Sequence, residues 1–472
     1  MDVTHENKPH VLFIPYPAQS HIKCMLKLAQ LLNHKGLNVT FINTHSNHKR
    51  LVESGGTRWL GDTPSFRFKT VPDGPDNDVE EARTTTEVWS YMETNFYDSF
   101  VGVVSGLETR VTCIVCDGFM TYTNVMHAAE RFEMPVILFW TMAACGFMGF
   151  YQVKVLMEKG LVPLKDENEY LDMEIDWIPG MEATRLKDLP EFTRYAKPDD
   201  PAYKFLLETA RTADKVSHII IHTFQELEPK LVEEIKSIFP NIYTLGPLQL
   251  HLNRITDTET TNSGSNFYSL QKEEPECIQW LESKDANSVV YVNFGSLAVM
   301  SIQDLEEFGW GLVNSNVYFL WIIRTDLVDG EPAVLPEELK KAMDEKGFVA
   351  SWCSQEEVLN HPAVGGFLTH GGWASIIESL SAGVPMICWP VSGDQQINCR
   401  QMCKEWEVGM EIEKNVKREG VERLVRVLME GEEGERMRKK AGEWRKVAET
   451  AVAANGSSWL GLEKLANLII SL

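Results

Sequence analysis

Four stretches of the sequence gather residue types that do chemistry. His21 stands in "AQSHIKC", just after the apolar run "HVLFIPYP" and at the opening of a helical pattern. An imidazole suits proton transfer near neutral pH, and the positive end of a helix favours its neutral, proton-accepting form. A polar His capping a helix start is the alternative. Asp117 closes the apolar run "TCIVCD"; in a parallel sheet it reaches the same carboxyl edge as His21, or else it caps a turn. "NFGS" (293 to 296) and "HGGWAS" (370 to 375) each follow an apolar run, and the second precedes a helical pattern. Such turns either aim backbone N–H groups and a helix N-terminus at a diphosphate or simply make a corner.

The elements around these stretches repeat. "HVLFIPYP", "LNVTFINT", "FRFKTVP", "TCIVCDGF" and "PVILFW" are β-rich apolar runs separated by helical patterns, the signature of a parallel sheet covered on both faces. A polar, Ser/Thr/Asn-rich stretch, "LNRITDTETTNSGSNF", interrupts the series. A second series follows with "SVVYVNFGS", "YFLWIIR", "GFVASWC", "GGFLTH", "VPMICWP" and "VGMEI". The expected fold is α/β, two tandem Rossmann-like domains facing across a cleft. Residues 1–248 form the first domain, 249–273 a linker and 274–450 the second domain. A final helix over 451–472 packs on either of them. In such sheets ligands bind beyond the carboxyl ends of the strands.

Bulk properties narrow the function. The 472 residues exceed one ordinary core. A formal charge of −23, from 68 acidic and 45 basic residues, argues against a nucleic-acid partner. The N-terminus lacks the layout of a signal peptide, so a cytoplasmic location is expected. The uncharged run from Met134 to Tyr151 reads as strand, Thr turn and helix rather than as a stable membrane insertion. Cys113 and Cys116 form a C-x-x-C, but positions three apart in a strand point to opposite faces, so both read as core thiols. Neither a G-x-G-x-x-G fingerprint nor a Gly-Lys dipeptide occurs, which removes the main support for NAD chemistry and for a P-loop.

From Trp352 to Gln395 the sequence reads "WCSQEEVLNHPAVGGFLTHGGWASIIESLSAGVPMICWPVSGDQ", 44 residues. This stretch resembles the C-terminal signature of plant family 1 UDP-dependent glycosyltransferases, which have the GT-B fold. The resemblance extends over essentially the whole chain, and "FIPYPAQSHIKCMLKLAQLL" with "WTMAACGFMGFY" is most similar to diterpenoid glucosyltransferases of the steviol type.

The resemblance implies a donor site. Trp352 stacks on uracil, with the Cys353 backbone and the Gln355 amide near the base, and Glu378 accepts from the ribose hydroxyls. Ser296, His370, Ser375 and the backbone around Gly372 meet the diphosphate. Trp373, Asp394 and Gln395 surround the sugar, Gln395 marking a glucose preference, and Thr141 lies near the donor's sugar and phosphate. His21 is the general base and Asp117 its partner. The reaction so implied is inverting transfer of glucose from UDP-glucose to a small lipophilic acceptor, without metal or resident cofactor, by a monomer. The run "DND" at 76–78 lies in a Pro/Gly-rich turn and reads as a solvated loop. Gln19, Met120, Phe147, Met148 and Phe150 are candidate linings for a bulky terpenoid, each also compatible with ordinary core. Other acceptors, flavonoid, phenolic or cyanogenic, stay open, as does a relative that binds UDP-sugar with weak turnover. Two positions depart from the family: Gly371 where Cys is usual, and Ala374 where Asn usually contacts a phosphate oxygen.

Overall fold

The computed structural model describes residues 8–57, 63–74, 85–164, 170–191, 201–256, 268–330 and 332–472. The chain folds as two compact units, Met1–Pro163 with Ala196–Gln271 and Val452–Leu472, and Leu164–Tyr195 with Lys272–Ala451.

The first unit is built on β1 (His10–Ile14), β2 (Asn38–Thr44), β3 (Phe66–Val71), β4 (Cys113–Asp117), β5 (Val136–Trp140), β6 (His218–Ile221) and β7 (Ile242–Thr244). These strands are all parallel and lie in the order β3-β2-β1-β4-β5-β6-β7. Every residue of β1 and β4 is buried, as expected of central strands covered on both faces. The order reverses direction between β1 and β4, where Ile14 pairs with Cys116. At such a switch point the connections leave to opposite sides and open a crevice beyond the strand ends.

Helix α1 (Gln19–His34) follows β1 and buries Ile22, Met25, Leu26, Ala29 and Leu32, a stripe at helical spacing. That stripe faces the sheet core, so His21 stands on the flank of the first turn, near the switch point. The uncharged run 134–151 separates into β5 and helix α2 (Ala144–Tyr151). Among the described residues no helix is long and apolar enough to cross a membrane. Cys113 and Cys116 are fully buried, and only Cys113 joins the core beneath α1. Burial pushes the Cys113 thiol up to about 12.

The second unit carries β8 (Val289–Asn293), β9 (Tyr318–Ile322), β10 (Gly347–Ala350), β11 (Val364–Thr369), β12 (Met386–Cys388) and β13 (Gly409–Glu411). They form a second parallel sheet in the order β10-β9-β8-β11-β12-β13. Its switch point lies between β8 and β11, where Asn293 pairs with Thr369. The turns "NFGS" and "HGGW" therefore leave adjacent strand ends side by side.

The units depart from the sequence-based boundaries in two places. Residues 249–256, expected in a linker, belong to helix α3 (Leu248–Thr256), because Leu248, Leu252 and Ile255 recur at helical spacing and pack on the first core. Residues 257–267, the polar remainder of that segment, lie outside the described residues, as does the "DND" run. The stretch Leu164–Tyr195 falls with the second unit although it precedes β6. There Glu191 N–H donates to the Gly393 carbonyl at 2.9 Å, and Arg400 donates to the carbonyls of Glu182 and Ala183 at 3.1 and 3.3 Å. The last helix, α4 (Ser457–Ser471), completes the first core with Leu462, Leu465, Ala466 and Ile469, and Ser458 meets His251 at 2.8 Å.

Candidate active site

In the first unit the Nδ1 of His21 lies 2.7 Å from Asp117 Oδ2 and 2.8 Å from Thr141 Oγ1. Each partner comes from a strand end: Asp117 is the last residue of β4 and Thr141 directly follows β5. Asp117 is fully buried, and its other oxygen accepts from the Phe119 N–H at 3.0 Å. A buried carboxylate beside Nδ1 keeps the proton on that nitrogen, which leaves Nε2 with a lone pair for an incoming proton. The turn bearing Thr141 is itself anchored. Buried Glu228 accepts from the N–H groups of Ala144 and Cys145 at 2.9 and 2.8 Å and from the Thr223 hydroxyl at 2.6 Å. Burial pushes the Glu228 carboxyl up, and these hydrogen bonds oppose the shift.

Aromatic rings wall this dyad. Tyr16 and Phe119 sit 5.0 and 5.6 Å from the His21 ring, and Phe205 stacks between Phe119 at 5.7 Å and Trp89 at 5.0 Å. The Trp89 indole N–H donates to the Tyr16 hydroxyl, and burial pushes the Tyr16 phenol up, so it stays neutral. The residues expected to line an acceptor pocket are placed differently. Met120, Phe147, Met148 and Phe150 are buried core side chains with 1% exposure or less. Gln19 spends its amide on the backbone of Tyr268 and Leu270, at 3.1 and 2.7 Å.

In the second unit Gln355 is the hub. Its Nε2 donates to Glu378 Oε2 at 2.8 Å and to Ser375 Oγ at 3.1 Å, while its Oε1 accepts from Asn293 Nδ2 at 2.9 Å. Cys353 is buried with Sγ 3.3 Å from the Tyr291 hydroxyl. Trp352 is half-buried, its carbonyl accepting from Glu274 N–H at 3.0 Å.

His370 is wedged between two glycines. At Gly295, φ is +72°, and an added Cβ would lie 2.5 Å from His370 Cε1; at Gly372 it would strike the same ring. Glycine at both places lets the backbone approach the imidazole. Burial, aided by the Arg324 charge, pushes the His370 pKa down to about 4, so this histidine is neutral at pH 7. Gly372 caps helix α5 (Trp373–Ala382) with no side-chain hydrogen bond, which leaves the helix's first N–H groups for a ligand. Ala374 is half-buried in that first turn. The Trp373 ring, expected around the sugar, is buried 5.9 Å from the Trp406 ring.

Ser296 presents its hydroxyl on a turn whose carbonyl accepts from Arg324 Nη1 at 3.0 Å. Gln395 Oε1 accepts from the N–H groups of Val391 and Ser392 at 2.8 and 3.0 Å, fixing the turn that carries Asp394. Asn398 Nδ2 joins this segment to the Gly371 carbonyl at 3.1 Å. Among the described residues no three His, Cys, Asp or Glu side chains converge as a metal site.

Known proteins share both the fold and the sequence. Residues 203–438 match the family described as UDP-glucoronosyl and UDP-glucosyl transferase. The chain is 69% identical to UDP-glycosyltransferase 85C1 of Stevia rebaudiana, over 98% of this chain and 97% of that protein. It belongs to this glycosyltransferase family. A 7-deoxyloganetin glucosyltransferase of Catharanthus roseus is 48% identical over 99% of this chain and 98% of its own length. A UDP-glucose: anthocyanidin 3-O-glucosyltransferase solved with UDP superposes at TM-score 0.82, with 25% identity, covering 99% of this chain and 100% of that one. The two parallel sheets are the two Rossmann-like domains of a GT-B enzyme.

Several residues of this glycosyltransferase escape a reading by motif. Asn293 and Tyr291 organise Gln355, Arg324 pins the "NFGS" turn, and Tyr16, Trp89 and Phe119 wall His21. A signal was available in Asn293, a polar residue closing the apolar strand "VVYVN". Arg324 follows an apolar strand in the same way.

Proposed function

We propose that the enzyme transfers glucose from UDP-glucose to a hydroxyl or carboxyl of a small lipophilic acceptor, a diterpenoid such as steviol, with inversion at the anomeric carbon. The observation that carries this reading is the His21–Asp117–Thr141 arrangement. His21 Nε2 takes the acceptor's O–H proton as the acceptor oxygen bonds to the anomeric carbon. The bond from that carbon to the diphosphate breaks, and its electron pair leaves with UDP. Asp117 stabilises the imidazolium that forms, which a carboxylate at 2.7 Å is suited to do.

The donor is assigned to the second domain. Trp352 takes the uracil face, Glu378 the ribose hydroxyls, and Ser296, His370, Ser375 and the first turn of α5 the diphosphate, while Asp394 and Gln395 take the glucose. A helix N-terminus bears roughly half a positive charge, matched to negative charge growing on the departing UDP. No step is given to a metal. The aromatic wall of Tyr16, Trp89, Phe119 and Phe205 supports an acceptor with broad apolar faces. The relative acting on 7-deoxyloganetin supports a second reading, in which the acceptor is another hydroxylated terpenoid.

The test is product formation from UDP-glucose with steviol, 7-deoxyloganetin, a flavonol and a cyanohydrin, with the new linkage assigned by NMR. A β-glucoside of the diterpenoid, formed faster than the others, is the expected result. An α-linked product would reject inversion; fastest transfer to the flavonol or cyanohydrin would reject the acceptor assignment.

A further inference from the structure

The amide of Asn293 touches both parts of the nucleotide site. Its Oδ1 accepts from the Gly295 N–H at 2.9 Å, which sets the turn that seats Gly295 on the His370 ring and carries Ser296. Its Nδ2 donates to the Tyr291 hydroxyl at 2.8 Å and to Gln355 Oε1 at 2.9 Å, so both amide hydrogens are used. The platform beneath is rigid: Tyr291 is fully buried and stacks on Phe367 with ring centres 4.9 Å apart. Asn293 itself is only 7% exposed.

We propose that Asn293 is a positioning residue which sets the polarity of the Gln355 amide, and through it the ribose-binding state of Glu378, while tying that set to the diphosphate turn. The inference rests on the donor-site reading above. Because the Gln355 carbonyl is held by an N–H of Asn293 at 2.9 Å and by the Tyr291 hydroxyl at 3.3 Å, its own NH2 group faces Glu378 and Ser375. Turned over, Gln355 would set its carbonyl against the Glu378 carboxylate, and Glu378 would lose its hydrogen bond from Gln355. Asn293 touches no substrate in this account; it acts through Gln355.

Asn293→Asp separates the two arms. One carboxylate oxygen still accepts from Gly295, but the other replaces Nδ2 and repels Gln355 Oε1. The Gln355 amide then turns over, and Glu378 loses its hydrogen bond from Gln355. The readout is selectivity for the ribose hydroxyls: binding of UDP, 2′-deoxy-UDP and 3′-deoxy-UDP by calorimetry, with thermal melting to confirm folding. A hydrogen bond to a charged group implies that the wild type prefers UDP over the deoxy compounds by about 10- to 100-fold. N293D is expected to bring that preference to within about 3-fold and to raise the KM for UDP-glucose, with the acceptor KM unchanged. Repulsion from the added charge weakens all three ligands alike and leaves their ratio intact, so the ratio isolates Glu378. Asn293→Ala, which adds no charge and leaves the Tyr291 hydroxyl donating to Gln355 Oε1, is expected to lose part of the preference and serves if N293D does not fold. A wild-type preference retained in these variants overturns this inference alone. A wild type that binds no UDP overturns the donor-site reading and this inference with it.

Discussion

Replacing Asp117 by Asn tests the proton-accepting arrangement at a single atom. Oδ1 of Asp117 accepts from the Phe119 N–H at 3.0 Å, and Oδ2 faces His21 Nδ1 at 2.7 Å. An asparagine amide has one acceptor, and the backbone N–H of Phe119 claims it. The NH2 group must then face His21, so Nδ1 becomes the acceptor and the ring proton moves to Nε2. That tautomer cannot take a proton from the acceptor hydroxyl. Thr141 does not restore it, since its hydroxyl, 2.8 Å from Nδ1, can donate to the same bare nitrogen. Two losses combine: a charge-assisted hydrogen bond of about 1.5 to 3 kcal/mol and the wrong tautomer. Turnover in Asp117→Asn is therefore expected to fall by about 10²- to 10⁴-fold, with the KM for UDP-glucose within about 3-fold of wild type. Steady-state UDP release at saturating donor and acceptor measures this. A turnover within about 5-fold of wild type would refute the role given to Asp117.

Ala374→Asn places an amide at the first turn of α5 and is expected to tighten UDP binding by roughly 10- to 100-fold; calorimetry showing equal or weaker affinity counts against a missing phosphate contact. Gly371 has φ +82°, and an added Cβ would lie 2.5 Å from Cys388 Sγ, so Gly371→Ala should lower stability by about 1 to 3 kcal/mol in urea unfolding. Burial, with Lys35 and Arg254 nearby, holds the His251 pKa down to about 4. The unfolded chain takes up that proton near pH 6.5 and the folded chain only near 4, so stability is lost as pH falls through this window. The slope is up to about 1.4 kcal/mol per pH unit. His251→Gln should remove that slope, and denaturation curves at pH 6.5 and 4.5 with an unchanged difference would exclude His251 as its source.

The two sheets were legible because most of their strands are apolar runs, separated by helical stripes such as that of α1. The turns at the switch points were legible for the same reason, since Gly and Ser stand out directly after such runs. Boundaries were not. The helical spacing of Leu248, Leu252 and Ile255 was masked by the polar stretch that follows it, and nothing local tells Leu164–Tyr195 that its partners are Gly393 and Arg400 in the second unit. At the site, residue types were legible but their partners were not. Periodicity does not reveal that Trp373 turns its ring into Trp406. Nor does it reveal that Gln19 is consumed by backbone, or that Asn293 governs Gln355, because each contact joins segments distant in sequence or depends on a rotamer.

The central claim is that His21 accepts the proton of the attacking hydroxyl while the nucleotide is held by other residues. Transfer from UDP-glucose by His21→Ala, measured beside UDP affinity on the same preparation, tests it most directly. The account predicts a loss of about 10²- to 10⁴-fold in turnover with UDP affinity within about 2-fold of wild type. Turnover close to wild type, with UDP still bound, would contradict it.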